Sequence, residues 1–282
     1  MARPAGRLLR PALYLAPALL VYTVFLIVPF AQMLRMSLNR FSALRLFEPV
    51  LTLANYRAVL SDSFYLGLIA RTLLIGLWVT LAALLLGYPL AAVIAAGTPR
   101  SRRVLMTIVL SPLLVNLVVR SYAWLVLLGD HGVINQTLIG AGLLTAPLAL
   151  TGNMPGVVIA LTHIGLPLMV MSLVGVIGTI DPHVLEAAES LGASRTRRFW
   201  RVAVPLSGPG IGAGALLVFC LSVSAFVTPQ LLGGGRVTTV STTIYQKFTL
   251  SLNWPLGSAL VFVLLVLNLL LMLWHGRRFA AR

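Results

Sequence analysis

The chain has 282 residues, of which 59% are hydrophobic and only 10% charged, with a mean hydropathy of +0.98. No soluble core hides that much apolar surface, so the composition excludes an ordinary soluble domain and points to membrane-spanning helices. The formal net charge of +15 would suit a nucleic-acid binder, but the arginines cluster between the apolar runs, where they meet anionic lipid rather than nucleic acid.

The first thirty residues, "MARPAGRLLRPALYLAPALLVYTVFLIVPF", open with three arginines and an apolar run. The uncharged stretch from Pro11 to Leu34 is longer than a signal-peptide core and reads as a retained anchor helix. Six spans are predicted: residues 13–33, a segment within 72–98, then 104–128 with an interruption at Arg120, 156–180, 208–231 and 256–274. Residues 39–64 form the longest connection, where "LTLANYRAVLSD" has helical apolar spacing and is expected to lie along the outer surface. The loop "GDHGVINQTLIGAGLLTAPLALTGN" is rich in glycine and turn residues and is expected to dip into the membrane surface. Pro89, Pro112 and Pro167 fall inside spans, and each removes a helical hydrogen bond, so kinks or local unwinding are expected there.

Six spans place both termini on one side. Arg3, Arg7 and Arg10, Arg100, Arg102 and Arg103, Arg195, Arg197, Arg198 and Arg201, and Arg277, Arg278 and Arg282 share that side. Arg35, Arg40, Arg45, Arg57, Arg236 and Lys247 lie on the other. The bias makes both termini cytoplasmic. Cys220 is the single cysteine, and His131, His163, His183 and His275 are scattered, so neither a disulfide within the chain nor a metal site is expected.

The polar stretch "EAAESLGASRTRRFWRVAVP", from Glu186 to Pro205, falls in a loop on the cytoplasmic side. Asp181 and Pro182 form a helix start. Gly192 suits a left-handed helix end, Ser194 caps a second helix, and Pro205 is expected to end it. A helix–turn–helix results. It cannot enter a DNA groove, because its second helix runs into a membrane span within a few residues.

Glu186, Ala187 and Ala188, then Gly192, Val202, Val204 and Pro205, resemble the EAA loop of ABC-importer permeases. That loop reads Glu-Ala-Ala, three residues, Gly, nine residues, Ile, one residue, Leu-Pro. Val202 and Val204 replace the Ile and Leu conservatively. "RSYAWLVLLGDHGVIN", "FVTPQLLGGGRVTTVSTTIYQKF" and "NWPLGSAL" look like the spermidine/putrescine branch, the B/H-type subunit. The resemblance implies an all-α integral membrane fold: six transmembrane helices, a type I ABC importer (MetI-like) core and a cytoplasmic EAA coupling helix. Residues 1–63 would hold the tail, first span and outer loop, residues 64–275 the core with coupling loop 181–205, and residues 276–282 a cytoplasmic tail. The location implied is the bacterial inner membrane. Implied partners are a second, homologous permease, two cytoplasmic ABC ATPases and a periplasmic or lipid-anchored solute-binding protein. The chain has no phosphate-cradling Gly-rich loop with Lys-Ser/Thr, and its lone lysine, Lys247, is on the outer side. It is expected to hold no cofactor itself, ATP and Mg being bound by the partner ATPase.

Glu186, Ala187, Ala188, Gly192, Val202 and Pro205 are expected to couple the chain to the ATPase. Candidate pathway residues are Asn116, Arg120, Tyr122, Trp124, Asp130 and Tyr245. Asn116 and Arg120 share a helical face at i, i+4. Arg120 is the one charge deep in a span, and two roles are open for it: bracing helices through carbonyls, or lining the pathway. Arg71 is closer to the surface and reads as structural. A cationic polyamine would need carboxylates, and no acidic residue lies well inside a span. Three accounts are open: the partner permease supplies them, aromatic faces such as Tyr122, Trp124 and Tyr245 hold the cation, or the substrate is anionic or zwitterionic, such as a phosphonate or opine. The rival classes are weaker. A secondary transporter lacks buried coupling carboxylates. A membrane enzyme lacks a team, since Ser111, Thr162 and His163 have no catalytic spacing. A channel leaves the polar stretch unexplained.

Overall fold

The computed structural model describes residues 15–279; Arg3, Arg7, Arg10 and Arg282, which contribute to the orienting bias, lie outside the described residues. Two compact units are present, one of residues 15–65 with 244–263 and one of residues 66–243 with 264–279.

In the first unit, α1 (Leu15–Ser37) is a long apolar helix, with its side chains exposed as far as Gln32. Its turn at Thr23–Ile27 is π-helical and stands just ahead of Pro29. A wide turn opens room for a proline ring that would otherwise meet the carbonyl four residues back. Strands β1 (Arg40–Ser42) and β2 (Leu46–Glu48) pair antiparallel, with Phe41 opposite Phe47. The expected surface helix is α2, Ala54–Ser61. Its Asn55 donates from Nδ2 to the carbonyls of Ser37 and Asn39, each at 2.8 Å, and Tyr56 meets Ser37 Oγ at 2.7 Å. One buried amide thus holds α2 to the end of α1.

The second span is α3, Ser63–Ala96, which starts nine residues before the expected Thr72. Helix α4 (Pro99–Leu110) is capped by Thr98, whose hydroxyl accepts from Ser101 N. A 3-10 turn at Ser111–Leu114 separates it from α5 (Leu117–Leu128). The break within the expected third span, 104–128, is therefore at Pro112 and not at Arg120, which sits within a continuous helix, and the stretch long and apolar enough to cross a membrane here is Leu117–Gly140 rather than 104–128. The reason is local: the proline ring halts the α-helical ladder, and Asn116 restarts it as an N-cap. Pro89 and Pro167 by contrast lie within helices that continue on both sides.

Helix α6 (Val133–Gly140) occupies the glycine-rich loop. Buried Asn135 pins the two ends of that loop together: Nδ2 donates to the Gly129 and Leu148 carbonyls at 3.0 Å, and Oδ1 accepts from Leu148 N at 2.9 Å. Next come α7 (Met154–Ile177), α8 (Pro182–Ser190) and α9 (Arg195–Leu206). Helix α10 (Gly208–Ser224) bends away from α9 by 66°. It stops seven residues short of the expected end of the fifth span. Ala225 is extended, and α11 (Val227–Leu232) comes after it as a separate short helix. Helix α12 (Val240–Thr249) opens on a reciprocal cap: Thr239 N donates to Thr242 Oγ1 and Thr242 N to Thr239 Oγ1. The last helix, α13 (Trp254–Phe279), runs past the expected Trp274.

Lipid removes the hydrophobic drive between helices, so close packing and hydrogen bonds must hold a bundle together. The second unit packs that way around α7. A Cβ on Gly210 would lie 2.9 Å from the Ser172 carbonyl oxygen, one on Gly214 2.7 Å from Met169 Sδ, and one on Gly165 2.9 Å from Val218. Gly76 and Gly87 of α3 lie equally close to Val223 and Met169. Hydroxyl groups complete the seams: Ser121 Oγ meets Thr228 Oγ1 at 2.9 Å, and the Val240 amide donates to Thr72 Oγ1 at 3.0 Å.

Candidate functional site

Helices α8 and α9 form a hairpin whose every joint arises from local chemistry. Asp181 Oδ1 accepts from His183 N at 2.9 Å, and Pro182 occupies the first turn. At the other end Gly192 adopts φ +79°. Ala193 N donates to the Ala188 carbonyl and Gly192 N to that of Glu189, which makes the reversal a Schellman motif. Ser194 Oγ then accepts from Arg197 N, starting α9. Arg198 and Glu189 pair across the hairpin, and His183 Nδ1 meets Glu186 Oε2 at 3.2 Å.

Within this hairpin, Glu186 and Ala187 are exposed and Ala188 is half-buried. The open side of α8 thus offers a carboxylate beside two methyl groups, a low surface against which another protein can come close. Val202 is half-buried in α9 and Val204 packs on the core. Pro205 does not end the helix, as its position had suggested. The backbone widens into a π-helical turn over Phe199–Ala203, and the helix continues through Pro205 to Leu206. Pro29 is accommodated in the same manner.

At the corner between α9 and α10, Ser207 is fully buried. Its Oγ donates to the Ala203 and Val204 carbonyls and lies 2.9 Å from the hydroxyl of Tyr88 on α3. The Tyr88 ring meets Phe199 edge to face, with centroids 5.3 Å apart. On the approach to α8, the Arg102 guanidinium lies beside Gly178 at the end of α7, where a Cβ would be 3.5 Å from Nη2. A cation suits the negative end of a helix.

The candidate pathway residues are only partly together. Asn116 is outside the helical face assigned to it: at φ −53° and ψ 137° it is the N-cap of α5, accepting from Val118 N through Oδ1. Arg120 reaches back from α5, and its Nη1 donates to the Pro112 carbonyl at 2.9 Å, while its buried Nε has no partner among the described residues. Trp124, one turn on, donates its indole N–H to His163 Nδ1 on α7 at 3.1 Å. The His163 proton therefore sits on Nε2. Tyr122 and Asp130 are exposed, the latter in the turn between α5 and α6. Tyr245 is exposed on α12, in the part of that helix belonging to the first unit. None of α1, α3, α5, α7, α10 and α13 carries a carboxylate. Arg71 donates to Thr238 Oγ1 at 3.1 Å, a structural bond between α3 and the turn before α12.

Sequence reading missed Tyr88, Ser207 and the tie between Trp124 and His163. A tyrosine next to Pro89 and a serine two residues after Pro205 carry no local sign of meeting, and their 119-residue separation hides the pair.

The chain is similar to known proteins in sequence and in fold. Residues 87–277 match the family described as "Binding-protein-dependent transport system inner membrane component". The chain is 35% identical over 253 residues to the spermidine/putrescine transport system permease protein PotB of Haemophilus influenzae, covering 90% of this chain and 88% of that one. It is 34% identical over 231 residues to PotB of Escherichia coli, covering 81% and 84%. A subunit of a bacterial alginate ABC transporter, crystallised with an alginate-bound periplasmic protein, superposes with a TM-score of 0.77 at 17% identity, covering 96% of this chain and 94% of that one.

Proposed function

The chain belongs to the family of binding-protein-dependent transport system inner membrane components, and from that premise we propose that it forms half of the translocation pathway for a polyamine such as spermidine or putrescine, or a related small amino compound. It is a multi-pass permease subunit of an ABC importer and not an enzyme. The observation that carries the substrate reading is its 35% identity to a spermidine/putrescine permease across nine-tenths of the chain.

In this reading a second, homologous permease completes the pathway. Two cytoplasmic ATPases bind ATP and Mg, and a periplasmic or lipid-anchored binding protein delivers the solute. Both termini and the α8–α9 hairpin face the cytoplasm, in keeping with the arginine bias. Glu186, Ala187 and Ala188 enter a groove on the ATPase, Gly192 sets the reversal, and Val202 and Pro205 connect it to α10. ATPase closure then moves the hairpin and re-aims the attached helices, giving alternating access.

With no carboxylate on the span helices, the polyamine ammonium groups meet carboxylates of the partner permease or the aromatic faces of Tyr122, Trp124 and Tyr245. A second reading, an anionic or zwitterionic substrate, is favoured by one observation: Arg120 is the charged side chain of α5, and its Nε is left without a partner among the described residues.

Uptake by the assembled importer, tested with spermidine, putrescine, phosphonates and opines, separates the two. Saturable ATP-dependent uptake of a polyamine supports the first; uptake of the anions alone overturns it. For the hairpin, Glu186→Lys and Gly192→Val are expected to abolish uptake with the chain still inserted and the ATPase lost on co-purification. Normal uptake in both variants removes the docking role.

A further inference from the structure

The hairpin touches the rest of the second unit at few points, and one of them has a specific chemistry. Tyr88 is 9% exposed and Ser207 fully buried. The Ser207 hydroxyl has one proton, and that proton is already directed to the Ala203 and Val204 carbonyls, at 2.8 and 3.0 Å. Its oxygen is therefore the acceptor, and the Tyr88 phenol donates across the 2.9 Å contact. The same ring stands edge-on to Phe199 at an interplanar angle of 85°, in a geometry that is attractive and direction-dependent. Phe199 begins the π-helical turn, and Ser207 is the residue at the 66° bend. One side chain of α3 thus grips α9 at its wide turn and at its corner.

We propose that Tyr88 is a positioning residue for energy transfer: through Ser207 and Phe199 it carries displacement of the hairpin into α3 as well as into α10. Without it, the hairpin acts on the spans joined to its ends, α7 through residues 178–181 and α10 through Ser207. With it, α3, which has no chain connection to the hairpin, moves with them. Both partners are buried, where a polar group left unpaired is costly. This proposal rests on the docking role proposed for the hairpin.

The test uses the whole importer in proteoliposomes, reading solute taken up per ATP hydrolysed. Tyr88→Phe keeps the ring and its stacking but loses the donor. Ser207→Ala loses the acceptor. Each is expected to lower uptake per ATP about fivefold, at the low end of what one coupling contact carries, with ATPase co-purification unchanged. The double variant is expected to be no worse than Ser207→Ala alone, because the bond that Tyr88→Phe removes is already lost there. Unchanged uptake per ATP in both variants, additive losses, or a parallel fall in uptake and in the amount of assembled importer overturns the proposal and leaves Tyr88 as ordinary packing. Failure of the ATPase to co-purify with the unaltered chain would instead overturn the docking role itself, which separates the two ideas.

Discussion

Arg120 Nη1 donates to the Pro112 carbonyl at 2.9 Å, so the one arginine of α5 serves the break in its own span. Pro112 interrupts the ladder. The guanidinium reaches back over the N-terminal turn of α5 to the Pro112 carbonyl, which also accepts from Val115 N at 3.2 Å, so that the arginine adds a second, charged donor at the break. Arginine and carbonyl are eight residues apart on the same chain.

Arg120→Ala is expected to leave that carbonyl with the Val115 amide as its donor and to lower stability by about 1 kcal/mol. Arg120→Lys, with a single flexible ammonium, is expected to recover part of the loss. Thermal melting of the detergent-solubilised importer reads the effect. If bracing is the main role, the KM for uptake stays within about twofold in both variants; a large KM change assigns Arg120 to the pathway instead.

Gly192 has open space around its missing Cβ, so a side chain there meets no neighbour. The obstacle is its φ of +79°, which is unfavourable by about 1–2 kcal/mol for most residues. Gly192→Asn is therefore expected to retain most ATPase co-purification and Gly192→Val to lose most of it. Equal retention in the two would show that the reversal is not what positions α8.

Two glycines of α10 test packing against α7. The Cβ of Gly210→Ala meets the Ser172 backbone carbonyl, which cannot step aside, whereas that of Gly214→Ala first meets the end of the flexible Met169 side chain. Gly210→Ala is expected to cost about 1–3 kcal/mol through overpacking and Gly214→Ala measurably less. The order of the two melting temperatures decides the matter.

Asn135→Ala removes three hydrogen bonds that tie residues 129 and 148 to α6, and strands polar backbone groups in a buried place. Faster cleavage within residues 141–153 under limited proteolysis is expected. Asn135→Asp keeps the acceptor for Leu148 N but has no donors, so an intermediate rate is expected.

These elements were not equally legible in the sequence. The hairpin was readable in detail because Asp181, Gly192 and Ser194 act on amides only a few residues away. The break in the third span was half readable. Pro112 marked it, but the charge of Arg120 drew the interruption to the wrong residue, although that charge reaches back to the break. The separation of α10 from α11 at Ala225 had no proline or glycine to announce it. The two π-helical turns were also missed. They are visible in retrospect as the stretch from six to two residues before Pro29 and Pro205, a regularity that hydrophobic periodicity does not encode. Tyr88 and Ser207 belong to a further class, in which the partner is chosen by tertiary packing alone.

The 66° bend at Ser207 gives the hairpin a mechanical advantage. At 1.5 Å per residue α9 is an arm about 18 Å long. A shift of about 3 Å at its end next to α8 turns such an arm through about 10°. Because the arm lies across the direction of α10 rather than along it, a sideways push becomes a rotation at the corner. A straight run from α9 into α10 would pass the same push along its axis as a piston does. The bend makes the joint a crank.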